Sequence, residues 1–100
     1  MKPELSIIIP CYNEEKNIDE IYKEVIDINL VDMNIEIIFV NNGSKDNTEI
    51  EIKKIIDVHQ KKNNKNLYIR LLNLNENQNY DGGIYKGLQF ANGNFLSWTH

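Results

Sequence analysis

The sequence predicts an α/β domain, a mainly parallel sheet with flanking helices. Two observations carry the prediction. Short apolar runs at 5–10, 35–40, 67–74 and 95–99 alternate with stretches whose apolar residues recur at helical spacing. Alternation of this kind closes into a parallel sheet through right-handed crossovers. The first two runs, SIIIP and IEIIFV, are also apolar at nearly every position, as strands covered by helices on both faces must be. A chain of 100 residues holds one hydrophobic core and is read as one unit.

Residues 5–10 form the first expected strand, closed by Pro10. From Asn13, the expected N-cap, the residues Ile18, Ile21, Tyr22, Val25 and Ile28 fall on one helical face. Glu14 and Glu15 then occupy a first turn in which the helix dipole favours anions. Residues 35–40 are rich in β-branched side chains and read as the second strand. Asp46-Asn47-Thr48-Glu49 has the pattern of a capping box, and Ile52, Ile55, Ile56 and His59 continue a helical face into the polar QKKNNKN. The third strand is 67–74, followed by a polar loop at 75–80. A helix at 81–92 carries Ile84, Leu88 and Ala91, ends near Gly93, and leads into a fourth strand at 95–99.

Composition narrows the function. Hydrophobic residues make up 41% and charged residues 26%, with a net charge of −4. That is globular, and it offers no basic patch for a phosphate backbone, so nucleic acid is not an expected partner. The apolar runs are strand-sized, far short of the roughly 20 residues a membrane-spanning helix needs. MKPELSIIIP lacks a secretory pattern, which points to the cytoplasm. Cys11 is the only cysteine, so no disulfide forms within the chain and a reducing compartment fits. It reads as a small buried side chain. His59, among isoleucines, reads as a structural histidine without a second metal ligand nearby.

Ligands of parallel sheets bind beyond the carboxyl ends of the strands. Pro10 to Glu14 after the first strand, Asn41 to Ser44 after the second and whatever follows Thr99-His100 after the fourth belong to that edge. The first turn has no Gly-x-Gly-x-x-Gly and no Gly-x-x-x-x-Gly-Lys, which excludes a dinucleotide-binding oxidoreductase and a P-loop. FVNNGSKDNT admits two readings. Gly43 can turn left-handed while Ser44 or Asp46 caps the next helix, a purely structural role. Alternatively Asn42, with an acceptor and two donors, reads the edge of a nucleobase.

SIIIPCYNEEKNI, IIFVNNGSKDNT and NENQNYDGGIYKGLQFANGNFLSW, in this order, resemble the nucleotide-binding part of a family 2 glycosyltransferase of the GT-A fold. The resemblance extends over essentially the whole chain and is nearest to dolichyl-phosphate mannose synthase-like and bacterial polysaccharide or lipid-linked sugar transferases. It implies a Rossmann-like GT-A half, with residues 1–100 a partial domain that stops before the acceptor half. Pro10, Tyr12 and Glu14 match the segment lining the base and ribose. The usual Val-Asp-Asp-Gly-Ser is here Val40-Asn41-Asn42-Gly43-Ser44, with Asn42 where the family has a base-contacting acid. Residues 75–87, including Gly82, Gly83, Lys86 and Gly87, match the region approaching the sugar diphosphate, although such glycines serve helix–sheet packing as readily. The nucleotide-binding set expected is thus Pro10, Tyr12, Glu14, Asn42, Ser44, Gly83 and Lys86.

The resemblance also implies a divalent cation, Mg2+ or Mn2+, bound by an acidic motif at the end of the fourth strand. His100 stands where its first acid belongs, either as a ligand or as a bystander. The implied function is transfer of a sugar from a nucleoside diphosphate sugar to a lipid-linked, saccharide or protein acceptor, with inversion. The catalytic base is then expected beyond residue 100, and the 100 residues alone are expected to be inactive. A non-catalytic nucleotide-sugar-binding module is the alternative, motivated by the missing acids at Asn41, Asn42 and His100.

Overall fold

The structure is a computed structural model describing residues 2–27, 33–62 and 66–98, the last four by backbone alone. The elements run β1 (Leu5–Cys11), α1 (Ile18–Ile26), β2 (Ile35–Asn42), α2 (Thr48–Gln60), β3 (Leu67–Leu74), α3 (Asn79–Phe90) and β4 (Phe95–Trp98). They form one sheet in the order β3-β2-β1-β4 with every pairing parallel. The mainly parallel α/β expectation holds.

Register explains how the layers assemble. Ile35, Ile37 and Phe39 of β2, with Ile9 and Cys11 of β1, pack against Ile18, Tyr22 and Val25 of α1 and Ile52 and Ile55 of α2. The alternate residues Ile8, Ile38 and Val40 face the other way, toward Leu88 and Phe90 of α3. Helices therefore cover both faces, which is why β1 and β2 carry apolar side chains at odd and even positions alike. Gly87 lets α3 approach the sheet. A Cβ there would lie 2.5 Å from Ile8 Cγ2 and 2.9 Å from Val40 Cγ2, so this glycine serves packing.

Several boundaries differ from expectation. Asn13 is not the cap of α1, because its backbone turns left-handed at φ 53°, a conformation asparagine tolerates. The helix begins at Ile18 after Asn17, and the acids in its first turn are Asp19 and Glu20, not Glu14 and Glu15. The capping box at α2 also resolves differently. Asp46 Oδ1 accepts from the Thr48 N–H and hydroxyl, whereas Glu49 turns outward to Lys53 and Asn73. β2 runs two residues further than expected because β3 stays alongside as far as Asn42↔Leu74. The helix expected at 81–92 occupies Asn79–Phe90. Ile28, Thr99 and His100 lie outside the described residues.

A buried polar hub closes the opposite end of the sheet. The Glu36 side chain, 2% exposed, accepts from Ser6 Oγ at 2.6 Å, from Arg70 Nη1 at 2.9 Å and from the Asn92 N–H. Ser6 Oγ in turn accepts from the Gly93 N–H. The hub thereby holds the α3–β4 connection in place, and with it β4 beside β1.

Candidate functional site

The order β3-β2-β1-β4 means that the chain first winds one way from β1 and then crosses back to β1's other side. The switch point between β1 and β4 opens at the carboxyl ends of the strands. The loops after β1 and β2 meet there and are laced together. Asn13 N donates to Ser44 Oγ at 2.9 Å, and Lys45 N donates back to Asn13 Oδ1 at 2.8 Å. Glu14 N donates to Thr48 Oγ1 at 2.9 Å and Glu15 N to Asp46 Oδ2 at 3.3 Å. Burial would raise the Asp46 carboxyl, but the Thr48 hydroxyl, the Thr48 N–H and the Glu15 N–H hold it below its usual range. Asp46 is thus kept as the anion these donors require.

Among the expected site residues, Pro10 is buried in β1 opposite Val40. Tyr12, 44% exposed, stands at the mouth of the edge. Glu14 and Ser44 are half-buried in the laced loops, with Ser44 Oγ already accepting from Asn13. Lys86 is exposed on α3. Gly83 lies one turn before it, facing Asn42, where a Cβ would be 2.7 Å from Asn42 Nδ2.

Asn42 differs most from expectation. It is 4% exposed, its Oδ1 accepts from Gln78 N at 2.8 Å, and its Nδ2 donates to the Asn79 carbonyl at 2.8 Å. Its amide is engaged with the backbone at the start of α3 rather than turned to an open face. Asn41 points to the other side of the sheet, donating to Asn73 Oδ1 at 2.6 Å while its own Oδ1 is buried without a partner. The reading of strand ends left the β3–α3 turn out of this edge, and only the family resemblance set residues 75–87 beside the donor. The available signal was the asparagine-rich NLNENQN directly behind an apolar run.

Cys11 and His59 take the structural roles their sequence settings suggest. Burial, and then the nearby Glu14 charge, push the Cys11 thiol up to about 12. Thiolate is scarce at pH 8, so iodoacetamide is expected to leave Cys11 intact in native protein and to alkylate it in urea. Peptide mass spectrometry reads the difference, and rapid alkylation of native protein would count against a sealed strand end. His59 is buried, with Nε2 at 2.8 Å from the Leu67 carbonyl and Nδ1 at 3.1 Å from Tyr22 Oη. The carbonyl can only accept, so Nε2 carries a proton, and in the neutral imidazole Tyr22 donates to Nδ1.

A cleft of about 450 Å³ lies away from this edge, lined by Pro3, Glu36, His59, Leu67, Arg70 and Asn92 among others. Its carboxylate and imidazole are already bonded within the protein, which makes it part of the scaffold. Among the described residues no group of three or more His, Cys, Asp or Glu side chains could hold a metal ion. His100 lies outside the described residues. No helix among the described residues is long and apolar enough to cross a membrane.

The family model described as Glycosyl transferase family 2 matches residues 6–100. An uncharacterized glycosyltransferase of Synechocystis sp. is 38% identical over 96 residues, covering 94% of this chain and 28% of the relative. The dolichyl-phosphate beta-glucosyltransferase of Dictyostelium discoideum is 30% identical over 97 residues, covering 91% of this chain and 28% of the relative. Among solved structures, the mannosyltransferase PcManGT from Pyrobaculum calidifontis, in complex with GDP-Man and Mn2+, superposes with a TM-score of 0.77 at 21% identity. That alignment covers 96% of this chain and 26% of the mannosyltransferase. The likeness supports the GT-A fold, and the chain spans under a third of the length of these proteins. With a family match over nearly its whole length and a sheet edge built from the matching segments, the chain belongs to glycosyl transferase family 2.

Proposed function

We propose that this chain is the donor-binding part of a hexosyltransferase-type enzyme. In the whole protein it holds a nucleoside diphosphate sugar, while an inverting transfer to an acceptor uses a base from outside these residues. The observation that carries the reading is the laced edge itself. Two loops cross-linked by backbone-to-side-chain hydrogen bonds present the exposed Tyr12 ring beside half-buried Glu14 and Ser44, a rigid polar rim suited to a flat base and ribose. Pro10, Tyr12, Glu14 and Ser44 serve the nucleoside in this reading. The start of α3, with Gly83 and Lys86, serves the diphosphate, Lys86 as its cation.

The PcManGT complex with GDP-Man and Mn2+ supports a nucleotide sugar and a divalent cation, Mn2+ or Mg2+, as ligands of the whole protein. Such an ion neutralises charge on the departing nucleoside diphosphate. The dolichyl-phosphate and bactoprenol transferases among the relatives favour a lipid-linked acceptor over a free saccharide or a protein, with the donor site on the cytoplasmic side of a membrane. The second reading is a nucleotide-sugar-binding module without turnover. Asn41 and Asn42, which stand where the resemblance places acids, spend their amides on internal hydrogen bonds, and that favours it.

Calorimetric titration of the whole protein with UDP, GDP and CDP, each with and without Mn2+, tests the proposal. One nucleotide is expected to bind tightly and to need Mn2+. Absence of binding by all three would remove the donor reading, and binding without any donor hydrolysis or transfer would select the module.

A further inference from the structure

Asn42 makes two bonds whose chemistry fixes the orientation of its side chain. The Gln78 N–H can only donate and the Asn79 carbonyl can only accept. Oδ1 and Nδ2 are therefore assigned by their partners, each at 2.8 Å. An ionised carboxylate at this position could still accept from Gln78, but it would have nothing to donate to the Asn79 carbonyl and would set two acceptors against each other.

The two bonds grip the turn where it becomes helix. Gln78 precedes α3, and Asn79 is its first residue, held left-handed at φ 63°. Asn77 Oδ1 steadies that conformation by accepting from Asn79 N at 2.7 Å. Gly83 closes over the amide from the helix side, and Gly43 lies directly under Glu76 and Asn77. The end of β2, the 76–79 turn and the first turn of α3 are thus one packed unit with the Asn42 amide at its centre.

We propose that Asn42 is a positioning residue for donor binding. Its amide locks the 76–79 turn and the start of α3 onto the sheet's binding edge, a task an ionised carboxylate at the same position fails. The inference rests on the donor reading above and gives Asn42 a role through the turn instead of through the base.

The test compares wild type, Asn42→Asp and Gln78→Pro in the whole protein. Titrations with UDP, GDP and CDP in Mn2+ are run at pH 7.5 and near pH 5 and normalised to wild type at each pH. Lys45 and Asp46 after β2, Glu76 in the turn and Asp81 and Lys86 on α3 are the charged residues near Asn42 in the chain or on the elements packed against it, and normalisation removes their contribution. Asn42→Asp is expected to weaken binding about tenfold at pH 7.5, the scale of one unmet buried acceptor. It should recover part of that loss near pH 5, because burial at this 4% exposed position raises the carboxyl and its protonated form both accepts and donates as the amide does. Gln78→Pro removes the donated N–H together with the weak Gln78 Nε2 bond to the Glu76 carbonyl, and is expected to weaken binding about fivefold.

Hydrogen exchange of the unliganded proteins gives a readout independent of the nucleotide. The α3 first-turn amides should exchange faster at pH 7.5 in both variants than in wild type. Asn42→Asp binding as well as or better than wild type at pH 7.5, with Gln78→Pro unchanged, would overturn the proposal in favour of base reading. Unchanged exchange in both variants would overturn the lock itself. Wild-type protein that binds none of the nucleotides removes the donor reading and the functional half of this proposal with it, while exchange still decides the lock.

Discussion

Replacing Arg70 by methionine is expected to destabilise the protein by about 3 kcal/mol, the low end of the cost of breaking a buried ion pair. The substitution leaves the Glu36 carboxylate, 2% exposed, without its counter-charge. It also removes a bond to the Phe90 carbonyl at 3.1 Å and the guanidinium stacked 3.9 Å above the Phe90 ring. The low end applies because the Arg70 side chain is 32% exposed and water replaces part of what it gave. The companion variant Glu36→Gln/Arg70→Met should recover at least half of the loss. A neutral amide oxygen still accepts from Ser6 and Asn92, and no unpaired charge remains buried. Urea unfolding of Glu36→Gln, Arg70→Met and the double variant gives the coupling. A loss below about 0.5 kcal/mol for Arg70→Met would reduce the pair to an ordinary surface bridge.

The same hub sets an acid limit. Burial alone would raise the Glu36 carboxyl, but the Asn92 N–H, the Ser6 hydroxyl and the Arg70 hydrogen bond and charge outweigh it and hold the group below 4.5. A group depressed in the folded state stabilises fully above its unfolded value and loses that contribution as pH falls through the folded value. Wild type should therefore lose stability below about pH 4.5 more steeply than the double variant, which has no carboxyl there.

The layer order and most of the core were legible because hydrophobic patterning is local. Residues 67–74 are apolar at most positions and flanked by polar tracts, and they form β3 with the same bounds. The start of α1 was not legible, since Asn13 leaves the helical region to bond Ser44 and Lys45, partners some 30 positions away. Asn42 posed the same difficulty more sharply. A single sequence shows an amide at a strand end, and only the parallel register brings Gln78 and Asn79 to it. The Glu36 hub had a signal that patterning passed over. Ser6, Glu36 and Arg70 are polar interruptions in otherwise apolar strands, and unlike charges in neighbouring strands are candidates for one another. Family resemblance did not help there, because the roles it implies belong to residues at the opposite end of the sheet.

Gly43→Ala is expected to cost about 2–5 kcal/mol, the sum of a left-handed backbone for a non-glycine residue and an overpacked contact. The backbone at Gly43 has φ 69°, and an added Cβ would lie 2.3 Å from Asn77 N and 2.5 Å from the Glu76 carbonyl carbon. Those neighbours are main chain, so relief requires the 76–77 segment to lift. That segment belongs to the turn Asn42 holds, and lifting it stretches the bond from Gln78 N to Asn42 Oδ1. Gly43→Asn separates the two causes. Asparagine accepts the left-handed backbone but carries the same Cβ, so it should recover no more than about 1 kcal/mol relative to alanine if the contact dominates. Denaturant midpoints and exchange of the α3 first-turn amides, measured on both variants, decide between them. A Gly43→Asn protein with wild-type stability and protected α3 amides would show that the contact is soft and that the glycine serves its dihedral alone. A loss shared by both variants would show instead that the end of β2 and the start of α3 are pressed together at Gly43 and held at Asn42 as a single joint.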